Sequence, residues 1–207
     1  MRLLPWAMLA LFSASAANAV TFTSVAGNAA PASGESLTVS FDSPNAPGFQ
    51  WTSGALGTAV GSSNMAATPA GNTSRYGYVS SAMPSNFATL STPSLKSISF
   101  FWGSIDKYNY LDVLGLGDSL LMTISGDMLP PANGDRGAAM TNRRLFITAG
   151  TDEVIRGLRF RSTGVAYEFD SIAAAAVPEP QAWMMLVAGF GMVGFAARRR
   201  QKVVAAA

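Results

Sequence analysis

Cysteine and histidine are both missing from this 207-residue chain. Without cysteine there are no disulfides, so the fold rests on core packing, helped at most by a bound ion. Without histidine, Ser-His-Asp and Cys-His catalysis, His-containing zinc sites and imidazole acid–base work all fall away. Carboxylate chemistry, a Ser-Lys pair or a tyrosine is what remains for an enzyme. Charge is sparse as well, at 13% of residues, and long apolar runs occur only near the two ends.

At the N-terminal end, Arg2 precedes an apolar stretch at 3–12 and an Ala17-Asn18-Ala19 site. That order is a secretory signal peptide, residues 1–19, with cleavage expected after Ala19. Near the other end stand Pro178-Glu179-Pro180 and Trp183, then a chargeless run over 182–197, then Arg198-Arg199-Arg200-Gln201-Lys202. A helix of that run spans roughly 24 Å, short of the ~30 Å hydrocarbon core, so it predicts a single, short transmembrane helix. Trp183 suits one headgroup layer, and the arginines place the other end in the cytoplasm, leaving the preceding domain outside.

The tail, 178–202, resembles the PEP-CTERM sorting signal of Gram-negative bacteria in its P-E-P-x-x-W form. Pro178, Glu179, Pro180, Trp183, Arg198, Arg199 and Arg200 carry the match. Met184 departs from the alanine that often follows the tryptophan. The resemblance implies recognition by an exosortase, a membrane cysteine transpeptidase or protease. The route it implies runs through the secretory pathway and the inner membrane to the cell surface or extracellular matrix.

Both terminal signals distort the overall charge. Setting aside Arg2, Arg198, Arg199, Arg200, Lys202 and Glu179 removes five of 14 basic and one of 12 acidic residues. Nine remain against eleven, so a formal +2 becomes −2. The basic balance is therefore no argument for nucleic-acid binding. The residues left are enough for one domain, over 20–172, followed by a small-residue linker at 173–177.

Short alternating strands separated by turn residues run through that domain. Strands are expected over 36–41, 96–102, 108–114, 119–124, 145–148, 158–161 and 165–169. Those at 96–102, 108–114 and 119–124 suggest a meander, and the last two, flanking Ser162-Thr163-Gly164, a hairpin. Residues 42–86 are rich in Gly, Ser, Ala, Asn and Pro, anchored by Phe49, Trp51, Tyr76 and Tyr78. They form either a surface excursion or an irregular sheet edge. The expected class is all-β, an antiparallel β-sandwich of jelly-roll type.

One central stretch, Trp102-Gly103-Ser104-Ile105-Asp106-Lys107-Tyr108-Asn109, resembles the W-G-S-x-D-x-Y-N signature of a group of exosortase-dependent surface proteins. Residues 167–172 resemble their closing strand. The likeness extends over 36–172 and implies surface location without an activity. Trp102, Asp106, Tyr108 and Asn109 are glycan-binding candidates, the rings for stacking and the polar groups for hydroxyls; the alternative is that the rings pack in the core and Asp106 caps a turn. Asp106, Asp112 and Asp118 recur every six residues and are the candidate ligands of a structural Ca²⁺, beside ordinary turn use. No other cofactor is expected. Arg143, Arg144, Arg156, Arg159 and Arg161 are either a stripe toward anionic exopolysaccharide or a solvated face. Glu35, Glu153, Glu168 or any aspartate could be nominated for hydrolysis, but no spacing selects a pair. The function expected is that of a noncatalytic surface or matrix protein processed by an exosortase and associated with exopolysaccharide or biofilm. A secreted glycan hydrolase and an unprocessed single-pass membrane protein are the alternatives.

Overall fold

A computed structural model describes residues 19–177 and 186–193. Eleven strands, all paired antiparallel, make up the domain: β1 (Thr21–Ala26), β2 (Ser36–Val39), β3 (Gln50–Gly54), β4 (Gly57–Ala59), β5 (Tyr76–Val79), β6 (Phe87–Gly103), β7 (Asn109–Leu114), β8 (Leu120–Ser125), β9 (Arg143–Thr148), β10 (Ile155–Ser162) and β11 (Tyr167–Ala176). The all-β expectation is met.

The organising element is β6. Its first half, through Ser91, pairs with β3 on one side and β10 on the other. From Ser97 onward it pairs with β9 and β11 instead. Between the halves lies Thr92-Pro93-Ser94. A proline has no N–H for the ladder and belongs where a strand bends or ends, so the chain passes from one layer to the other there. The first layer therefore reads β3-β6-β10-β7-β8. The second reads β1-β9-β6-β11, with β5 and β4 beyond the start of β11 and β2 beside its later part.

Alternation sends one set of side chains from each layer into a shared core. Trp51, Leu158 and Phe160 come from the first, and Ile98, Phe100, Trp102, Tyr167 and Phe169 from the second. The Phe160 and Phe169 rings stack across the layers at 3.9 Å between centroids, and Phe100 meets Phe160 edge-on at 5.3 Å. Each such ring contributes about 1.5–3 kcal/mol by burial alone.

Over the outer side of the second layer lies the irregular segment 60–75. Pro69 sits against Gly103 so closely that a Cβ there would fall 2.7 Å from its ring. A second small cluster of Ala66, Tyr76 and Ala166 closes this flap. Both readings of residues 42–86 thus hold in part, since β3, β4 and β5 are sheet and the remainder is a covering loop.

Four expectations need correction. The proposed hairpin is absent: β10 pairs with β6 and β7, whereas β11 pairs with β2, β5 and β6. Ser162-Thr163-Gly164 is an arch between layers, because alternation identifies a strand without naming its neighbour. The meander likewise shrinks to β7 and β8, with β10 inserted between β6 and β7. Leu37, which alternation over the strand expected at 36–41 would turn inward with Val39, is 56% exposed; the β2–β11 register shifts between Ile172 and Ala173, which breaks the alternation.

The fourth concerns the linker. Residues 173–176 are no spacer but the end of β11, in register with Ser99, Ile98, Ser97 and Leu95 of β6. Ala173 and Ala174 are buried, and the Val177 amide donates to the Ser94 carbonyl at 2.9 Å. Small side chains fit beneath the neighbouring strand, so the domain ends at 177 rather than 172. At its other limit Val20 is already buried in the core. Residues 1–18, and with them most of the expected signal peptide, lie outside the described residues.

Candidate functional site

The two stretches singled out by sequence, 99–109 and 167–172, meet at one end of the second layer. Gly103 and Glu168 are register partners on β6 and β11. The loop that follows β6 folds back beside them and opens a cavity of about 230 Å³ lined by Ser104, Asp106, Tyr108, Asn133, Arg136 and Glu168, among others. Gly134 is required here, since a Cβ would stand 2.7 Å from both Asp106 carboxylate oxygens and its φ of +67° lies in the left-handed region.

Glu168 is the most constrained group in the cavity. It is 2% exposed. Its Oε1 accepts from the Ala67 amide at 2.7 Å and its Oε2 from the Ser104 hydroxyl at 2.9 Å. Burial pushes its carboxyl up to about 7 despite these donors. Asp106 is raised by burial as well. The Tyr108 hydroxyl donates to the Val165 carbonyl at 2.9 Å, and burial pushes its pKa upward. Two acids thus face one polar cavity, and burial raises both.

Of the four glycan candidates, only Asp106 and Tyr108 reach this cavity. Trp102 is fully buried and stacks on Tyr167 at 4.4 Å, so its ring has no face left for a sugar. Asn109 is also fully buried; its Nδ2 donates to the Ala166 carbonyl and its Oδ1 accepts from Ser162. It ties the start of β7 to the arch. For Trp102 the packing alternative is the correct one.

The calcium candidates do not converge. Asp106 lines the cavity and Asp118 sits in the turn between β7 and β8. Asp112 projects from β7 to Arg161, whose Nε and Nη2 donate to its two oxygens at 2.7 and 2.9 Å, while Thr123 adds a third bond. Among the described residues no three such acids gather where they could hold a metal.

The five arginines divide between layers. Arg144 on β9 is 1% exposed, and donates to the Ser99 hydroxyl and the Ser171 carbonyl. Burial lowers its pKa, which the charges of Glu35 and Asp170 oppose. Arg143 donates to the Pro130 carbonyl. Arg156, Arg159 and Arg161 project from β10 on the outer side of the first layer.

Sequence reasoning missed the importance of Asp170. Its carboxyl accepts from Asn72 at 2.8 Å and is raised by burial to about 6. The Tyr167-Glu168-Phe169-Asp170 alternation does place both acids opposite the rings. That they are buried follows only from the flap at 60–75, which no periodicity reveals.

Pro178, Glu179, Pro180, Trp183, Arg198, Arg199 and Arg200 lie outside the described residues. Inside the expected span of 182–197, residues 186–193 are helical. Among the described residues no helix is long and apolar enough to cross a membrane.

Fold and tail together define a β-domain followed at once by a separate C-terminal signal. Residues 176–200 match the family described as the PEP-CTERM protein-sorting motif. The chain therefore carries a tail of the kind an exosortase recognises, which directs an exported protein toward the cell surface. A comparison with curated proteins gives no match, and neither does a comparison with solved structures.

Proposed function

We propose that this is a noncatalytic protein of the Gram-negative cell surface or extracellular matrix, delivered by its tail and associated there with exopolysaccharide or biofilm. A signal peptide cut after Ala19 starts its export. Residues 182–197 then hold it in the inner membrane, ectodomain outside, until an exosortase acts. The apolar side chains of Leu186, Val187, Phe190, Met192 and Val193 are exposed on the helix at 186–193, as lipid contact would require. The ectodomain is a cofactor-free β-sandwich of jelly-roll type.

One observation carries this reading: the sorting motif begins at residue 176, the last residue of β11. The domain is complete where the signal starts, so the two are separable. Deleting 178–207 in the native host tests it. The expected result is a folded domain released to the medium with loss of surface display; undiminished display contradicts the reading.

A hydrolase draws on a different observation, the shared cavity of Asp106 and Glu168, with the Glu168 carboxyl raised by burial to about 7, as a general acid's would be. Against it, both Glu168 oxygens already accept hydrogen bonds from the fold itself. Turnover of any member of a broad polysaccharide panel by the purified chain, abolished by Glu168→Gln, would favour the hydrolase.

A further inference from the structure

We propose that the outer face of the first layer, centred on Arg156, Arg159 and Arg161, binds an acidic polysaccharide that bears carboxylates along its chain. This deepens the matrix reading above and rests on it.

Strand register builds the face. Across the sheet, Arg161 on β10 lies between Phe87 of β6 and Tyr110 of β7, and Arg159 lies between Thr89 and Asp112. The Arg161 guanidinium stands 5.2 Å from the centre of the Tyr110 ring, and that of Arg159 stands 5.7 Å from the centre of Phe87. Rings beneath guanidinium groups hold them extended and leave their N–H edges for a planar anion. Guanidinium forks match carboxylates bidentately, as Arg161 already demonstrates on Asp112.

Charge on this face is unbalanced. Arg161 and Asp112 form the one ion pair found among the described residues. Arg159 donates instead to the Thr89 hydroxyl at 3.3 Å and Arg156 to the Ser94 hydroxyl at 3.2 Å. Three cations therefore share one carboxylate, and that carboxylate is spent. The face is positive on a domain whose formal charge between the two signals is −2.

Geometry narrows the ligand further. Among the described residues the first layer has no flap like that over the second; Gln50, Thr52 and Thr123 are exposed around the arginines. A broad sheet with hydroxyls, half-buried rings and a short row of cations suits a sugar chain, which offers hydroxyls, C–H faces and spaced acids. A nucleic acid, the rival polyanion, offers fewer hydroxyls per charge to this hydroxyl-lined sheet than a polyuronate does.

The test uses the full chain in detergent, with immobilised alginate as the polyuronate, dextran as the neutral control and single-stranded DNA as the rival polyanion. Alginate should be retained with an affinity that falls as salt rises, dextran should not be retained, and DNA should bind more weakly than alginate. Replacing both exposed-face donors, Arg156→Gln with Arg159→Gln, should weaken alginate binding about tenfold at unchanged melting temperature. Arg159→Glu alone should weaken it at least as much, whereas Lys107→Gln, off this face, should not. Equal retention of alginate and dextran, wild-type binding by the folded variants, or DNA bound as tightly as alginate overturns the proposal. These readouts are independent of delivery: failure with surface display intact removes only the binding face, and display without the tail removes only the sorting reading.

Discussion

The outer faces of the two layers treat their charged residues in opposite ways. On β10, Arg159 and Arg161 alternate with Leu158 and Phe160, and stay half-exposed beside rings and hydroxyls. On β11, Glu168 and Asp170 alternate with Tyr167 and Phe169 in the same way, yet the segment at 60–75 covers them and both are raised by burial. Equivalent patterns thus give an open face on one layer and a sealed one, with its carboxyls raised by burial, on the other. What separates them is whether irregular chain packs on top.

The sharpest way to break this contrast is to cut β11, the spine of the sealed layer. A chain ending at Ile172 lacks Ala173, Ala174, Ala175 and Ala176, and with them the register partners of Ser99, Ile98, Ser97 and Leu95. It should have no cooperative melting transition by circular dichroism, whereas a chain ending at Val177 should melt as the full ectodomain does. Next in size is Trp102→Ala, which empties the core beside Tyr167 and should cost about 3–5 kcal/mol in denaturant unfolding.

Titration then distinguishes the faces by sign. Glu168 has an ordinary value of 4.5 and about 7 in the fold. Between those values the native state holds a proton that the unfolded chain has lost, so stability falls as pH rises through that window. Asp170 adds to the fall between 3.8 and about 6. Melting should therefore occur at a higher temperature at about pH 5 than at pH 8. Glu168→Gln should flatten that slope and stabilise the domain at pH 8 by on the order of 2–3 kcal/mol.

The smallest effect belongs to the open face. Burial works against the Asp112 charge, but the bonds from Arg161 and Thr123 outweigh it and lower its pKa below 3.8. Its contribution is present above that value and disappears as pH falls through the lowered one. Asp112→Asn should cost about 1 kcal/mol near neutrality and progressively less in acid, opposite in slope to Glu168→Gln. Urea unfolding at several pH values measures both variants together.

How much of this could be read in the residues alone follows from the same contrast. Alternation located the strands at 36–39, 109–114, 120–125 and 143–148 closely, since side-chain period is local. It misjudged their partners, because the crossing of β6 at Pro93 and the arch at 162–164 are set by packing across the whole domain. It took 173–177 for a spacer on composition, although alanines pack as readily in a buried strand. At the site, Ser104, Asp106 and Tyr108 lay within a noticed motif, but Trp102 and Asn109 in that motif turn inward. Glu168 was visible only as one acid among several, and the flap that makes it special has no periodic signature. The tail was the most legible part, since its proline, charge and hydropathy signals act in sequence order rather than through a fold.

The central claim is that a complete β-domain is separated from a removable sorting tail at 176–178. Mass spectrometry of the protein recovered from the surface of its native cells tests it most directly. The account predicts an N-terminus at Val20, a C-terminus close to Pro178-Glu179-Pro180 with β11 intact, and no peptide containing Arg198-Arg199-Arg200. Surface protein that retains that arginine peptide, or that ends before Ala176, would contradict it.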